Sequence, residues 1–279
     1  MPDEGFSYRF SSAIVRQLGR SVVRGLRAVD RGAPDFERFQ AEHREYVGAL
    51  ERAGLKVRVL GALEAFPDSV FIEDAALCLP EGIVMLRPGA PSRTGEASLL
   101  AETLAGLGYE IIPCESDGFI DGGDILLIDS AILVGLSERT DLRGFEWLKA
   151  ILQGWGYPVQ AVHTPEGILH FKSDCCVLDS QTILATHRLS RMECFASFRV
   201  LTVPLGEEAA ANCIRINDTV LVPAGYPATA ELLAREGYAV ETVAVTQPSL
   251  LDGGLSCMSL RYHSLAMVSH KGTLSSATR

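Results

Sequence analysis

A phrase recurs along the chain: a short apolar run, a turn, an amphipathic segment with helical spacing, a glycine, and a second apolar run. Residues 82–112 carry it clearly. Ile83-Val84-Met85-Leu86 predicts a strand, Pro88-Gly89 a turn, Ala97 to Leu107 a helix and Tyr109-Glu110-Ile111-Ile112 a second strand. Residues 131–162 repeat it from Ile132-Leu133-Val134, with Gly156-Tyr157 after the helix. Residues 219–245 repeat it again, from Val220-Leu221-Val222 through a helix ending at Gly237-Tyr238. Fainter copies run from Thr182 to Val203 and from Ala13 to Leu60. The glycine after each helical segment is the expected left-handed stop. Arg16, Arg20, Arg24 and Arg27 have the spacing of one helical face and read as a solvated stripe.

The closing strands begin near residues 56, 109, 157, 199 and 238, which gives five units at a period of roughly 40 to 50 residues. Propellers and other repeat arrays fall in that range. An insert separates each closing strand from the next opening strand, and the inserts align. They hold Asp68-Ser69-Val70-Phe71-Ile72-Glu73-Asp74, Ile120-Asp121-Gly122-Gly123-Asp124, Leu169-His170-Phe171-Lys172-Ser173, Ala211-Asn212-Cys213 and Asp252-Gly253-Gly254-Leu255-Ser256-Cys257. Five units around an axis would bring these polar groups to one centre. A second slot, after the opening strands, holds Ser92-Arg93-Thr94 and Glu138-Arg139-Thr140. Two arginines in matched positions suit a carboxylate, because each guanidinium presents a fixed fork of donors.

Composition narrows the class. With 47% hydrophobic, 22% charged and 7% aromatic residues among 279, the chain reads as an ordinary globular protein. A formal net charge of −10 repels a phosphate backbone, so no nucleic-acid partner is expected. No apolar run approaches the roughly 18 residues that span a bilayer, and no membrane association is expected. Met1-Pro2-Asp3-Glu4-Gly5 is followed by no apolar segment, which argues against a secretory leader. Cysteines 78, 114, 175, 176, 194, 213 and 257 are odd in number and scattered, as expected of reduced thiols in a cytoplasmic protein.

Several local motifs admit plainer readings. Asp121-Gly122-Gly123-Asp124 has the composition of a hairpin turn, and it lacks the regular acid spacing of an EF-hand. His163, His170, Cys175, Cys176 and His187 match no zinc-ligand spacing, so no metal site is expected, and Cys175-Cys176 reads as strand core. Taken alone, Cys257 is as well explained by a buried structural thiol, and His170 by a satisfied core histidine. No phosphate-binding glycine loop or G-x-S-x-G elbow occurs.

The ordered set of motifs resembles the dimethylarginine dimethylaminohydrolase family of the pentein superfamily. The resemblance spans roughly residues 8 to 262. It rests on Pro67 to Asp74, Arg87-Pro88-Gly89-Ala90-Pro91-Ser92-Arg93, Asp121 to Asp124, Gly135 to Thr140, Leu169 to Ser173, Ala211-Asn212-Cys213 and Asp252 to Cys257. It implies an α/β fold, a five-bladed propeller of ββαβ repeats with pseudo-fivefold symmetry. Residues 1–263 would form a single domain and 264–279 a flexible C-terminal extension. It further implies Cys257 as nucleophile, His170 as proton shuttle, and Asp121 and Asp74 on the substrate guanidinium with Glu73 beside them. Arg93 and Arg139 would take the substrate carboxylate, Asp68 and the Leu251 carbonyl its α-amino group, and Leu26 would sit on a lid. The lid departs from the family's polar loop at Arg27-Ala28-Val29. The implied reaction converts asymmetric N-methylated arginine to citrulline and an alkylamine through a covalent thiouronium, without metal or organic cofactor. The partner is then the small-molecule substrate, and a homodimer is left open.

Two alternatives stand beside this one. A related arginine or agmatine deiminase would release ammonia by the same Cys-His logic, but such relatives carry a basic residue where Glu73 stands. A non-catalytic arginine-binding pentein has no need to keep Cys257, His170 and both acids together.

Overall fold

The computed structural model describes residues 5–263 and residue 265. The first apolar runs form β1 (Ser12–Arg16) and β2 (Lys56–Leu60), joined through helix α1 (Phe36–Arg52). Then come β3 (Ala76–Leu79), β4 (Gly82–Met85), α2 (Glu96–Gly106) and β5 (Ile111–Ile112). They are followed by β6 (Ile125–Ile128), β7 (Ala131–Leu136), α3 (Leu142–Gly154) and β8 (Val159–His163). The next unit is β9 (Cys175–Val177), β10 (Thr182–Ala185) and β11 (Arg199–Thr202). The last elements are β12 (Ile214–Ile216), β13 (Thr219–Pro223), α4 (Pro227–Arg235), β14 (Ala239–Val243) and β15 (Leu260–Tyr262).

These strands build five three-stranded sheets, the blades of a propeller. In four blades the middle strand pairs antiparallel with its predecessor and parallel with its successor, as in β3-β4-β5. A parallel pair needs a long crossover, which is why a helix separates most of these strands. The crossover helices bury one stripe: Phe39, Tyr46 and Leu50 on α1, Phe145, Leu148 and Leu152 on α3. Asp35 and Asp141 cap the starts of α1 and α3 by accepting from the N–H of Arg38 and Gly144, each at 2.8 Å. All four helices end beside a glycine with positive φ, at Gly54, Gly108, Gly156 and Gly237, as the sequence predicts.

The faint copies prove to be real blades with a difference each. Between β10 and β11 there is no α-helix; the chain crosses through a 3-10 turn, Glu193–Phe195. Residues 186–198 have no sustained apolar period, so nothing favours a longer helix there. The remaining blade takes strands from distant parts of the chain: β1 pairs parallel with β2 and antiparallel with β15. Periodicity alone does not reveal this closure.

The N-terminal arginines do not share one helical face, although Arg20 and Arg24 are exposed as expected. Arg16 lies on β1, 3% exposed, and donates to the Gly61 carbonyl at 2.8 Å. Arg20 and Arg24 bound a 3-10 helix, because the Glu64 carboxylate captures the N–H groups of Arg20 and Ser21 and turns the chain. Arg27 folds back onto the carbonyls of Val23 and Gly32.

Each aligned insert carries a short 3-10 turn: Ile72–Ala75, Gly122–Asp124, Phe171–Ser173 and Glu208–Ala211 before the first strand of a hairpin, and Ser256–Met258 before β15. Neighbouring turns touch around the axis, and Asn212 joins the last two by accepting from the Ser256 N–H at 3.0 Å. Among the described residues, no helix is long and apolar enough to cross a membrane. Residues 264 and 266–279, the expected C-terminal extension apart from residue 265, lie outside the described residues.

Candidate active site

At the ring of turns lies a cavity of about 260 Å³. Cys257, His170, Asp121, Asp74, Asp68, Arg93, Arg139, Leu26 and Leu251 all line it. Of the side chains singled out in the sequence, Glu73 is the exception. Consecutive residues of a tight turn point to different sides, so Asp74 faces this cavity while Glu73 faces a smaller axial one of about 100 Å³. There its Oε1 meets Lys172 Nζ at 2.8 Å and an Arg261 guanidinium nitrogen at 2.7 Å.

Asp74 is held on both oxygens. One accepts from Arg93 at 2.6 Å, the other from the Gly123 N–H at 3.0 Å. Burial alone would raise its pKa, but His170 and Arg93 bring it below the ordinary value, so it is a carboxylate. Arg93 is itself buried and largely committed to the protein. Its Nε and one terminal nitrogen grip Glu96 at 2.8 and 2.7 Å, and it also donates to the Phe71 carbonyl at 2.8 Å. With the bond to Asp74, four of its five N–H donors are used. Arg139 differs: among the described residues no carboxylate pairs with its guanidinium. It is the less encumbered cation on the cavity wall.

His170 stands between two acids. Its Nε2 lies 2.9 Å from Asp121 Oδ2 and 3.9 Å from Asp74 Oδ1. The other Asp121 oxygen accepts from the Gly89 N–H at 2.8 Å. Burial would lower the imidazole pKa, but Asp74, the bond to Asp121 and the nearby Asp124 raise it to about 9. His170 is therefore an imidazolium at neutral pH. The glycine pair beside it is needed for packing rather than for turning: a Cβ on Gly123 would lie 2.7 Å from the imidazole, and one on Gly122 1.9 Å from the Glu73 carbonyl oxygen.

Cys257 is 8% exposed, with the Ser256 hydroxyl 3.8 Å from its sulfur. Burial, with the negative charges of Glu73 and Asp74, pushes its thiol up to about 11. At neutral pH the cavity thus holds a neutral thiol and a charged imidazole. The reactivity of Cys257 toward iodoacetamide is then expected to be low at pH 7 and to climb about tenfold per pH unit until near its pKa. Peptide mapping of alkylated protein would measure it. A plateau already reached by pH 8 would contradict a raised thiol pKa.

Leu26 and Asp68 form one wall: the Leu26 N–H donates to Asp68 at 2.8 Å, and Leu251 packs against the same turn at Gly25. Asp252, at φ 56°, accepts from the Ala28 N–H at 2.5 Å and lies 3.4 Å from Arg31, tying the N-terminal loop to the loop of Cys257. Sequence reasoning assigned no role to Glu96, Asp124 or Asp252. Only Glu96 left a readable signal, its spacing of three from Arg93.

Asp74, Asp121 and His170 are also close enough to share a metal ion. Their present bonding suits a cation made of N–H donors better. Asp74 already balances Arg93 and His170 Nε2 already bonds Asp121, so a metal would have to displace both contacts.

Comparison with known proteins places the chain among its relatives. Residues 35–183 match the family profile described as N,N dimethylarginine dimethylhydrolase, eukaryotic. The N(G),N(G)-dimethylarginine dimethylaminohydrolase of Pseudomonas aeruginosa is 36% identical over 255 residues, 91% of this chain and 100% of that one. A solved structure of the Pseudomonas aeruginosa enzyme, a cysteine-to-serine mutant complexed with citrulline, superposes with a TM-score of 0.87 at 35% identity. It covers 91% of this chain and 100% of that chain. A dimethylarginine dimethylaminohydrolase with histidine replaced by glycine, solved as an adduct with S-methyl-L-thiocitrulline, gives 0.87 at 36% identity over the same shares. With the family profile matching residues 35–183 and a relative 36% identical over 91% of this chain, the protein belongs to the dimethylarginine dimethylaminohydrolase family.

Proposed function

We propose that this protein hydrolyses asymmetric N-methylated arginine to citrulline and an alkylamine, with Cys257 as nucleophile and His170 as proton shuttle. The observation that carries the reading is the meeting of a thiol, an imidazolium and two carboxylates on one cavity. The named activity of the Pseudomonas aeruginosa relative and the citrulline complex of its mutant support it.

The substrate guanidinium brings one positive charge into a cavity whose acids, Asp74 and Asp121, are placed to accept from its N–H groups. Arg139, with the remaining N–H of Arg93, takes the α-carboxylate, and Asp68 with the Leu251 carbonyl takes the α-ammonium. A cation beside the sulfur favours the thiolate, so substrate binding itself lowers the Cys257 pKa and the thiol proton leaves to solvent. The sulfur then adds to the guanidinium carbon held at close range. His170 donates its Nε2 proton to the substituted nitrogen, the C–N bond breaks, and dimethylamine departs from a Cys257 thiouronium. Neutral His170 next takes a proton from water as that water adds to the same carbon. Collapse expels sulfur and leaves citrulline.

The two ends of the guanidinium are not equivalent. Acids on one side require N–H donors, which a methylated nitrogen supplies poorly, and each buried polar group left unpaired costs about 1–3 kcal/mol. Asymmetric dimethylarginine and monomethylarginine are expected to turn over, with the symmetric isomer slower by at least about tenfold. Agmatine, which lacks the carboxylate, is expected to be poor as well. Chromatography of amine and citrulline decides: ammonia from arginine, with the methylated substrates rejected, identifies a deiminase instead.

A further inference from the structure

Asp124 is buried, lies next to the cavity without lining it, and uses both carboxylate oxygens. Oδ1 accepts from the N–H of Phe171, the residue after His170, at 2.8 Å. Oδ2 accepts from the hydroxyls of Ser137 and Thr140, each at 2.7 Å. Those two residues bracket Arg139: Ser137 Oγ in turn accepts from the N–H of Arg139 at 3.0 Å and of Thr140 at 3.2 Å. Thr140 Oγ1 also accepts from the Asp121 N–H at 3.1 Å, so the acid partnering His170 hangs on the same network.

We propose that Asp124 is a positioning residue that sets the span between the guanidinium end of the site, at His170 and Asp121, and the carboxylate end, at Arg139. One carboxylate group a few bonds across joins both ends, so the distance between them is fixed by a rigid unit rather than by two separately mobile loops. It acts as a ruler for the number of methylenes between guanidinium and α-carbon. The inference rests on the substrate orientation given above.

Discrimination tests it. The ratio of kcat/KM for asymmetric dimethylarginine to that for its homologue with one more side-chain methylene is measured for the wild type, where roughly 10- to 200-fold is expected. In Asp124→Asn an amide nitrogen replaces the oxygen that accepts from Ser137 and Thr140, while the oxygen facing Phe171 can remain. The ratio is expected to fall by about tenfold, mainly through loss of the shorter substrate. Ser137→Ala, which frees only the Arg139 turn, should lower the ratio in the same direction and raise KM more than it lowers kcat. Thr140→Val, which also releases the Asp121 N–H, should lower the ratio and kcat together. They serve if Asp124→Asn does not fold. Leu233→Ala, a core truncation on α4, is the control for mere destabilisation and should leave the ratio unchanged. A ratio that stays at the wild-type value in the folded Asp124, Thr140 and Ser137 variants overturns the ruler while leaving the reaction intact. A wild type that releases no dimethylamine overturns the functional reading and the ruler with it.

Discussion

Cys257→Ser is expected to lower turnover by at least about 10⁴-fold while leaving citrulline binding within a few-fold of the wild type. The asymmetry follows from the two jobs of the residue. Serine keeps the size of the side chain and so keeps the cavity, whose proposed binding groups are Asp74, Asp121, Arg139 and Asp68. A hydroxyl in the same buried place, facing two carboxylates, is far harder to ionise than a thiol already raised to about 11. The loss should therefore fall on kcat rather than on binding. Mass spectrometry of wild-type protein quenched during turnover should find the thiouronium on the peptide containing Cys257. Adduct on Cys213 or Cys175 would move the nucleophile elsewhere.

The second large effect belongs to a residue without chemistry. Gly122→Ala places a methyl group 1.9 Å from the carbonyl oxygen of Glu73, and backbone is on both sides of that contact. No rotamer relieves it, so two of the five axial turns must separate. A cost of about 4 kcal/mol or more is expected, which in a chain of this size lowers the thermal midpoint by roughly 10 °C. Gly123→Ala gives the instructive contrast. Its methyl would meet the His170 imidazole at 2.7 Å, and a side chain can move where a backbone cannot. That variant should fold but lose about 100-fold in kcat, because a small displacement of a proton donor is costly. Calorimetry and steady-state kinetics on the pair separate the two cases. Equal melting points for Gly122→Ala and wild type would show that the turns are not as tightly apposed as described.

Much of the fold was legible because a propeller repeats its unit, and the repeat survives in hydrophobic runs and helix-ending glycines. The alignment of inserts foretold which loops would meet, and the cavity now holds the residues of four of them. What remained hidden has a common cause. Periodicity reports whether a side chain is buried, not which of two interior spaces it faces. Glu73 and Asp74 are adjacent, acidic and both 4% exposed, yet one faces Lys172 and Arg261 and the other faces His170. Arg93 and Arg139 occupy matched slots, but only Arg93 has an acid three residues on, and that acid absorbs much of its bonding. The glycines at 122 and 123 read as a turn because the steric demand comes from residues far away in sequence. Arg16 misled for a related reason: a four-residue spacing looks the same whether it runs along a helix or crosses the end of a strand.

The pairing of β15 with β1 also orders events in time. Those strands are joined by contacts such as Ile14 with Leu260, so the ring stays open until nearly the whole described chain is available. Contacts of such sequence separation are slow to form, because a long loop must close before they repay its entropy. Cys257 precedes β15 by only a few residues, and its loop is anchored by Asn212 on one side and by Asp252 on the other. Cys257 is thus expected to be the last of the cavity side chains to reach its place. A nascent or truncated chain carries the acids, the imidazole and the arginines without the Cys257 loop in place. Completion of the fold and burial of Cys257 become one and the same step, in which the thiol passes from the ordinary acidity of an open chain to a pKa of about 11.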